Sequence, residues 1–121
     1  METLKIPKTD DTPEIILDKT NSVFEISGRS LPEDSIDFYK SVFQWLRQYS
    51  NEPNATTTFV FKLEYVNTAS SKMVQNILTA LEKIKGVTIN WYHHEDDEDM
   101  EDMGHELSEL VEIPFEFKTY P

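Results

Sequence analysis

The segment from Thr56 to Ile84 changes its hydrophobic period once, and this change constrains the fold more than any other feature of the sequence. In its first part apolar and polar residues alternate up to Val66, which is the two-residue period of a β-strand. The alternating large residues are Phe59, Phe61, Leu63 and Tyr65. From Met73 onward the apolar residues recur every three or four positions, which indicates one face of an α-helix. The sequence therefore predicts a strand that is followed directly by a helix.

The short segment between this strand and this helix is rich in hydroxyl groups. Asn67 and Thr68 both suit the N-cap position, because a short side-chain oxygen can accept a hydrogen bond from an N–H of the first helical turn. Thr68, Ser70 and Ser71 also stand where free N–H groups and the helix dipole favour a phosphate. Two interpretations follow, simple capping or a phosphorylation switch, and the residue pattern does not choose between them.

The composition indicates a small acidic domain without thiol chemistry. The 121 residues fit one domain, cysteine is absent, and no apolar run approaches the roughly 20 residues of a membrane span. The N-terminus lacks the apolar segment of a secretory signal, so we expect a soluble cytoplasmic protein. The net charge is −12, and nine acidic residues without Lys or Arg lie between Glu95 and Glu109. This charge disfavours nucleic acid and anionic membranes as partners.

The remaining periodic segments predict a single α/β domain with the element order β-β-α-β-α-β-α-β. Two short apolar runs separated by turn residues predict a hairpin over residues 14–27, and a helix follows the loop at residues 28–35. Strand-helix-strand repeats then imply a mixed sheet with right-handed crossovers. Residues 1–12 are expected to form a loosely held arm. An amphipathic helix should begin within the acidic segment, and Gly104 is expected to interrupt it.

Motifs for catalysis or metal binding are sparse in this chain. The sequence has no G-x-S-x-G elbow, and its three glycines exclude a Gly-rich phosphate loop. His93, His94 and the acidic residues after them could bind a divalent cation, since imidazole and carboxylate groups are metal ligands. Their spacing matches neither an EF-hand nor H-E-x-x-H, so a solvated acidic helix start is the simpler interpretation. A divalent-metal-binding or small hydrolytic protein stays open as an alternative, and we expect no cofactor.

Two polar segments of the chain carry a recognisable order and spacing. The loop at residues 28–35 reads GRSLPEDS, and the turn at residues 63–71 reads LEYVNTASS. Shorter matches lie at residues 6–7, 12–13, 87–93 and 113–115. Together these segments resemble the SiaC family of bacterial regulatory phosphoproteins, whose fold is similar to the STAS domains of anti-sigma factor antagonists. Ala69 departs from the family pattern, which has Ser at that position.

The resemblance implies a non-catalytic signalling switch with a STAS-like fold. Thr68 would be the phosphorylated residue, ahead of Ser70 and Ser71, and a partner kinase and a PP2C-type phosphatase would act on it. The unphosphorylated form would bind an effector, in the best-known branch a diguanylate cyclase that links the switch to cyclic-di-GMP and biofilm regulation. An anti-sigma factor antagonist that acts on an anti-sigma kinase is the alternative with the same fold.

The partner-binding surface is predicted from the two family-like segments. The residues concerned are Asn67, Ala69, Ser70 and Ser71 in the turn, and Ser30, Pro32, Glu33 and Ser35 in the loop. If both segments serve one switch, they should lie side by side in the folded protein.

Overall fold

The computed structural model describes residues 1–121 and contains six strands and three helices. The strands are β1 (Leu4–Ile6), β2 (Glu14–Asp18), β3 (Val23–Ser30), β4 (Thr57–Val66), β5 (Val87–His94) and β6 (Phe115–Tyr120). The helices are α1 (Ser35–Tyr49), α2 (Thr68–Glu82) and α3 (Glu98–Leu110). None of these helices combines the length and the apolar content that crossing a membrane requires. The predicted mixed α/β domain is confirmed.

The strands lie in the sheet in the same order as in the chain. β1, β2 and β3 pair antiparallel, whereas β3, β4, β5 and β6 pair parallel. β1 corrects the expectation of a loosely held arm, because Leu4 and Ile6 lie opposite Leu17 and Ile15 of β2. Both side chains also pack against the core. A strand of only three residues is too short to show a period, so the sequence did not reveal it.

The helices cover one face of the sheet. Each parallel strand lies beside its predecessor in the same direction, so right-handed connections place all three crossover helices on one side. On that side, Phe24 of β3 contacts Trp45 and Tyr49 of α1. On the other side Lys62 forms an ion pair of 3.7 Å with Glu25. One face is therefore the core, and the other remains polar.

The carboxyl ends of β3 and β4 meet at one edge of the sheet, and α1 and α2 begin there. Ser30 lies opposite Val66 in the parallel register. The N–H of Asn67 donates to the Ser30 carbonyl oxygen at 3.1 Å. The fold thus brings the two family-like segments side by side, as expected from the sequence.

α3 continues through Gly104, so the expected interruption of this helix is wrong. A Cβ atom at position 104 would lie 2.5 Å from two ring atoms of Trp91, and no side chain fits in that space. The Trp91 Nε1 donates to the carbonyl oxygen of Met100 at 3.0 Å, which satisfies the buried indole. Glycine lowers the helix propensity here, but it allows α3 to approach β5 closely.

Candidate functional site

The candidate site is the first turn of α2. Asn67 is the N-cap residue, with an extended backbone, and its Oδ1 accepts from the Ser70 N–H at 2.8 Å. Thr68 is therefore the first helical residue, and it is exposed. Its hydroxyl makes no hydrogen bond within the chain, whereas the neighbouring cap is fully formed without it. Of the two candidate N-cap residues, Asn67 caps the helix. The Thr68 hydroxyl group is therefore not used for capping.

The electrostatics of this turn favour an added negative charge. The first turn of α2 carries no acidic residue, whereas α1 has Asp37 and α3 has three acidic residues in the same position. The N–H groups of Thr68 and Ala69 have no acceptor inside the helix, as at every helix start. The partial positive charge of this end is therefore not neutralised by nearby carboxylates. A phosphate on Thr68 would supply that charge.

A chain of three buried hydroxyl groups lies beneath Thr68. The Ser30 hydroxyl donates to Ser70 Oγ at 2.9 Å, and it lies 2.6 Å from the hydroxyl oxygen of Tyr39. All three side chains are fully buried. Because they belong to β3, α1 and α2, they hold the start of α2 against α1. Ser30 and Ser70 were predicted to lie on the partner surface, but in this structure they are buried and make internal contacts.

The other predicted surface residues differ in their exposure. Ala69 and Glu33 are exposed, Asn67, Ser71 and Pro32 are half-buried, and Ser35 is buried at the start of α1. The loop and the turn therefore share one surface. Fewer of the predicted partner-binding residues are exposed on it than expected.

Two exposed apolar side chains extend this surface, and neither was predicted to belong to it. Ile36 at the start of α1 is 71% exposed, and Tyr65 at the end of β4 is 50% exposed. The exposure of Ile36 could have been predicted from the helical period. Ile36, Lys40, Phe43 and Arg47 recur at helical spacing and form a second ridge beside the buried stripe. The exposure of Tyr65 could not have been predicted from the sequence. Tyr65 continues the alternation of β4, but it lies beyond the part of the sheet that the helices cover.

The pKa of Tyr39 gives a test of the buried hydroxyl chain. Burial raises this pKa to about 12 from its ordinary value of 10, and the hydrogen bond with Ser30 lowers it only in part. The folded protein therefore keeps a proton that the unfolded chain releases above pH 10. The contribution of Tyr39 to stability is complete below that pH and is lost as the pH rises towards the folded-state pKa.

As the pH rises from 10 to about 12, the free energy of unfolding of the wild type should fall. We expect this fall to be about 2 to 3 kcal/mol larger in the wild type than in Tyr39→Phe, which has no phenol to titrate. Denaturant unfolding at pH 8 and at several values above 10 measures the difference. Tyr65→Phe removes an exposed phenol and serves as the matched control, which should follow the wild type. Equal pH dependence in wild type and Tyr39→Phe would contradict the assignment.

The side chains of the His93–His94 segment do not converge as a set of metal ligands in this structure. His93 is buried, and its Nδ1 lies 2.8 Å from the carbonyl oxygen of His94. The His94 ring packs against the Tyr120 ring with centroids 4.2 Å apart. No three His, Asp or Glu side chains converge as metal ligands would. The acidic residues instead begin α3, where Asp97 Oδ1 accepts from the Met100 N–H at 3.0 Å.

The fold and the site together define a small α/β domain with an exposed threonine hydroxyl group at the start of α2. Residues 6–120 match the family described as SiaC family regulatory phosphoprotein. The chain belongs to the SiaC family, and it is accordingly a regulatory protein and not an enzyme.

Solved structures of SiaC agree with this assignment, and a sequence relative matches almost the whole chain. The crystal structure of the diguanylate cyclase SiaD in complex with its activator SiaC from Pseudomonas aeruginosa matches with a TM-score of 0.90 and 26% identity, over 97% of this chain and 99% of that one. Apo-SiaC from the same organism matches with a TM-score of 0.88 and 27% identity, over 98% and 99%. An uncharacterized protein of Pseudomonas aeruginosa (strain UCBPP-PA14) is 27% identical over 99% of this chain and 98% of its own length.

Proposed function

We propose that this protein is a signalling switch in which phosphorylation of Thr68 controls the binding of a diguanylate cyclase. The exposed Thr68 hydroxyl, left unbonded at the start of α2, is the observation that carries the proposal. Membership of a regulatory phosphoprotein family supports it. SiaC of Pseudomonas aeruginosa is the activator of the diguanylate cyclase SiaD, and that structure covers almost the whole chain. The output of the switch would be cyclic-di-GMP signalling and biofilm regulation.

Burial favours Thr68 over the other two hydroxyl candidates. Ser70 is fully buried and accepts a hydrogen bond from Ser30. A kinase would have to unfold the first turn of α2 to reach its hydroxyl group. Ser71 is half-buried. Thr68 needs no such rearrangement, which suits both a kinase that adds the phosphate and a PP2C-type phosphatase that removes it.

The phosphate would act on the partner more than on the protein itself. It adds about −1.5 to −2 charges at neutral pH. The N–H groups and the dipole at the start of α2 stabilise that charge, so the fold needs no adjustment. A docking partner, however, would have to desolvate the phosphate or face its repulsion. Phosphorylation should thus weaken binding while leaving the structure almost unchanged.

The proposed modification is tested by labelling the protein. We expect incubation with ATP and an extract of the native host to add a single phosphate, which mass spectrometry of peptides locates on Thr68. Thr68→Ala should abolish the label. Thr79→Ala removes another exposed threonine from the same helix and should leave the label intact. A phosphate that persists in Thr68→Ala would remove Thr68 from the mechanism.

A further inference from the structure

A groove lies between α1 and α2, and the first residue of α2 that lines it is Met73, five residues after Thr68. One part, with a volume of about 470 Å³, is lined by Ile36, Phe43 and Met73 among other residues. A second part continues from Phe43 and Arg47 towards Lys83 at the end of α2. Phe43 and Met73 are half-buried and Ile36 is largely exposed, so the floor of the groove is apolar and accessible.

The walls of this groove are positively charged, although the protein as a whole is acidic. Lys40, Arg47 and Lys83 line it, and none of its lining residues is acidic in a chain with 23 acidic and 11 basic residues. The ion pairs of the structure are Lys8 with Glu64 and Lys62 with Glu25. The three groove cations are therefore without internal carboxylate partners, which a ligand could supply.

We propose that this groove binds an amphipathic α-helix of the regulated partner, with acidic side chains flanking its apolar ridge. The apolar ridge would lie on Ile36, Phe43 and Met73, and the carboxylates would face Lys40, Arg47 and Lys83. α1 and α2 have 15 residues each. The lining on the α2 side runs from Met73 to Lys83, which at about 1.5 Å per residue gives a groove of roughly 16 Å, enough for three turns of a docked helix. The inference rests on the proposed function, since it takes the occupant to be the effector.

The position of Thr68 explains how the switch would govern this groove. Thr68 lies about one and a half turns before Met73, so it stands near the end of the groove that Ile36 and Met73 line. A phosphate there would repel the carboxylates of an acidic helix. A second copy of the chain is the poorer occupant, because its acidic helix α3 already buries Met100 and Leu107 in its own core. Leu110 is the one largely exposed apolar side chain of α3, so this helix offers no continuous apolar ridge to a second copy.

The probe is a synthetic 15-residue helical peptide with leucines on one ridge and glutamates beside them, compared with the same peptide carrying lysine in place of glutamate. We expect the glutamate peptide to bind at least tenfold more tightly by fluorescence anisotropy. Amide shifts in ¹⁵N NMR spectra should map to Ile36, Phe43 and Met73. Absence of saturable binding, equal binding of both peptides, or shifts confined to the open face of the sheet would overturn the proposal.

Charge reversal provides the matched variants. Lys40→Glu with Arg47→Glu should lower the affinity for the glutamate peptide at least tenfold, because both cations line the groove. Lys5→Glu with Lys118→Glu changes the net charge equally on exposed strand positions and should lower it less than threefold. Equal losses in both pairs would overturn the proposal, as would a concentration-dependent dimer that only the groove pair dissociates. Far-UV circular dichroism checks that each variant is folded.

The groove and the switch can fail separately. If Thr68→Glu binds the effector as tightly as the wild type while the groove pair does not, the groove proposal stands and the phosphorylation switch falls. If the groove pair binds the effector and the peptide like the wild type while Thr68→Glu does not, the switch stands and the groove proposal falls.

Discussion

Thr68→Glu is expected to lower the affinity for the effector about a hundredfold, which corresponds to about 2.8 kcal/mol, whereas Thr68→Ala retains it. The carboxylate places a negative charge at the mouth of the groove, where it must be desolvated or repels an acidic partner. The fold should not suffer, because an acidic residue in the first turn of a helix contributes about 0.3 to 1 kcal/mol. The two variants therefore separate a change in binding from a change in stability.

The measurement begins with affinity capture from a native host extract, with each variant as bait. We expect Thr68→Ala to recover a diguanylate cyclase, identified by mass spectrometry and by conversion of GTP to cyclic-di-GMP in the eluate. The dissociation constants are then measured with the purified cyclase. Thr79→Glu adds the same charge to an exposed position further along α2 and should bind like the wild type.

Two outcomes would contradict this prediction in different ways. Equal affinity of the wild type, Thr68→Ala and Thr68→Glu would show that a charge at this helix start does not regulate binding. Recovery of an anti-sigma kinase in place of a cyclase would keep the switch but replace the effector, which is the alternative left open by the sequence.

Gly104→Ala is expected to lower the free energy of unfolding by about 2 kcal/mol. The new Cβ would lie 2.5 Å from the Trp91 ring, so α3 or the indole must move and the packing around both is lost. Overpacking of this kind costs about 1 to 3 kcal/mol, occasionally more, and the better helix propensity of alanine offsets up to about 1 kcal/mol. For a domain of this size the midpoint of thermal unfolding should fall by roughly 5 to 10 °C.

Denaturant unfolding followed by tryptophan fluorescence measures this effect. Glu106→Ala, at an exposed position of the same helix, is the control and should change stability by less than about 0.5 kcal/mol. Combining Gly104→Ala with Trp91→Phe should cost less than the sum of the two single changes, because the smaller ring relieves the clash. A Gly104→Ala variant as stable as the wild type would contradict the close contact of α3 with β5.

Local periods in the sequence predicted most of the elements, because burial of one face leaves a repeat in the chain. β4 and α2 follow the change of period between Thr56 and Ile84 closely, and the acidic residues before α3 stand at the end that the dipole favours. β1 was missed because three residues contain no repeat. Gly104 was misjudged because helix propensity is a local quantity, whereas the contact with Trp91 joins distant parts of the chain.

The candidate site was located by its hydroxyl groups and by a family resemblance, but the roles within it depended on the fold. Nothing local distinguishes Ser70, which is buried, from Thr68, which is exposed two residues earlier. The difference arises because Ser70 faces Ser30 and Tyr39 across the junction of β3 and α1. These partners lie 40 and 31 residues away along the chain.

By itself, the sequence determined the types and approximate limits of the longer elements, the acidic character of the chain and the position of the hydroxyl-rich turn. Each of these is set by neighbours within a few residues, through hydrophobic period, capping and charge. The tertiary structure alone decided which hydroxyl faces solvent, that Gly104 is a packing contact, and that Lys40, Arg47 and Lys83 line one apolar groove. Those properties depend on how the crossover helices pack side by side over the sheet, which no short segment of the chain specifies.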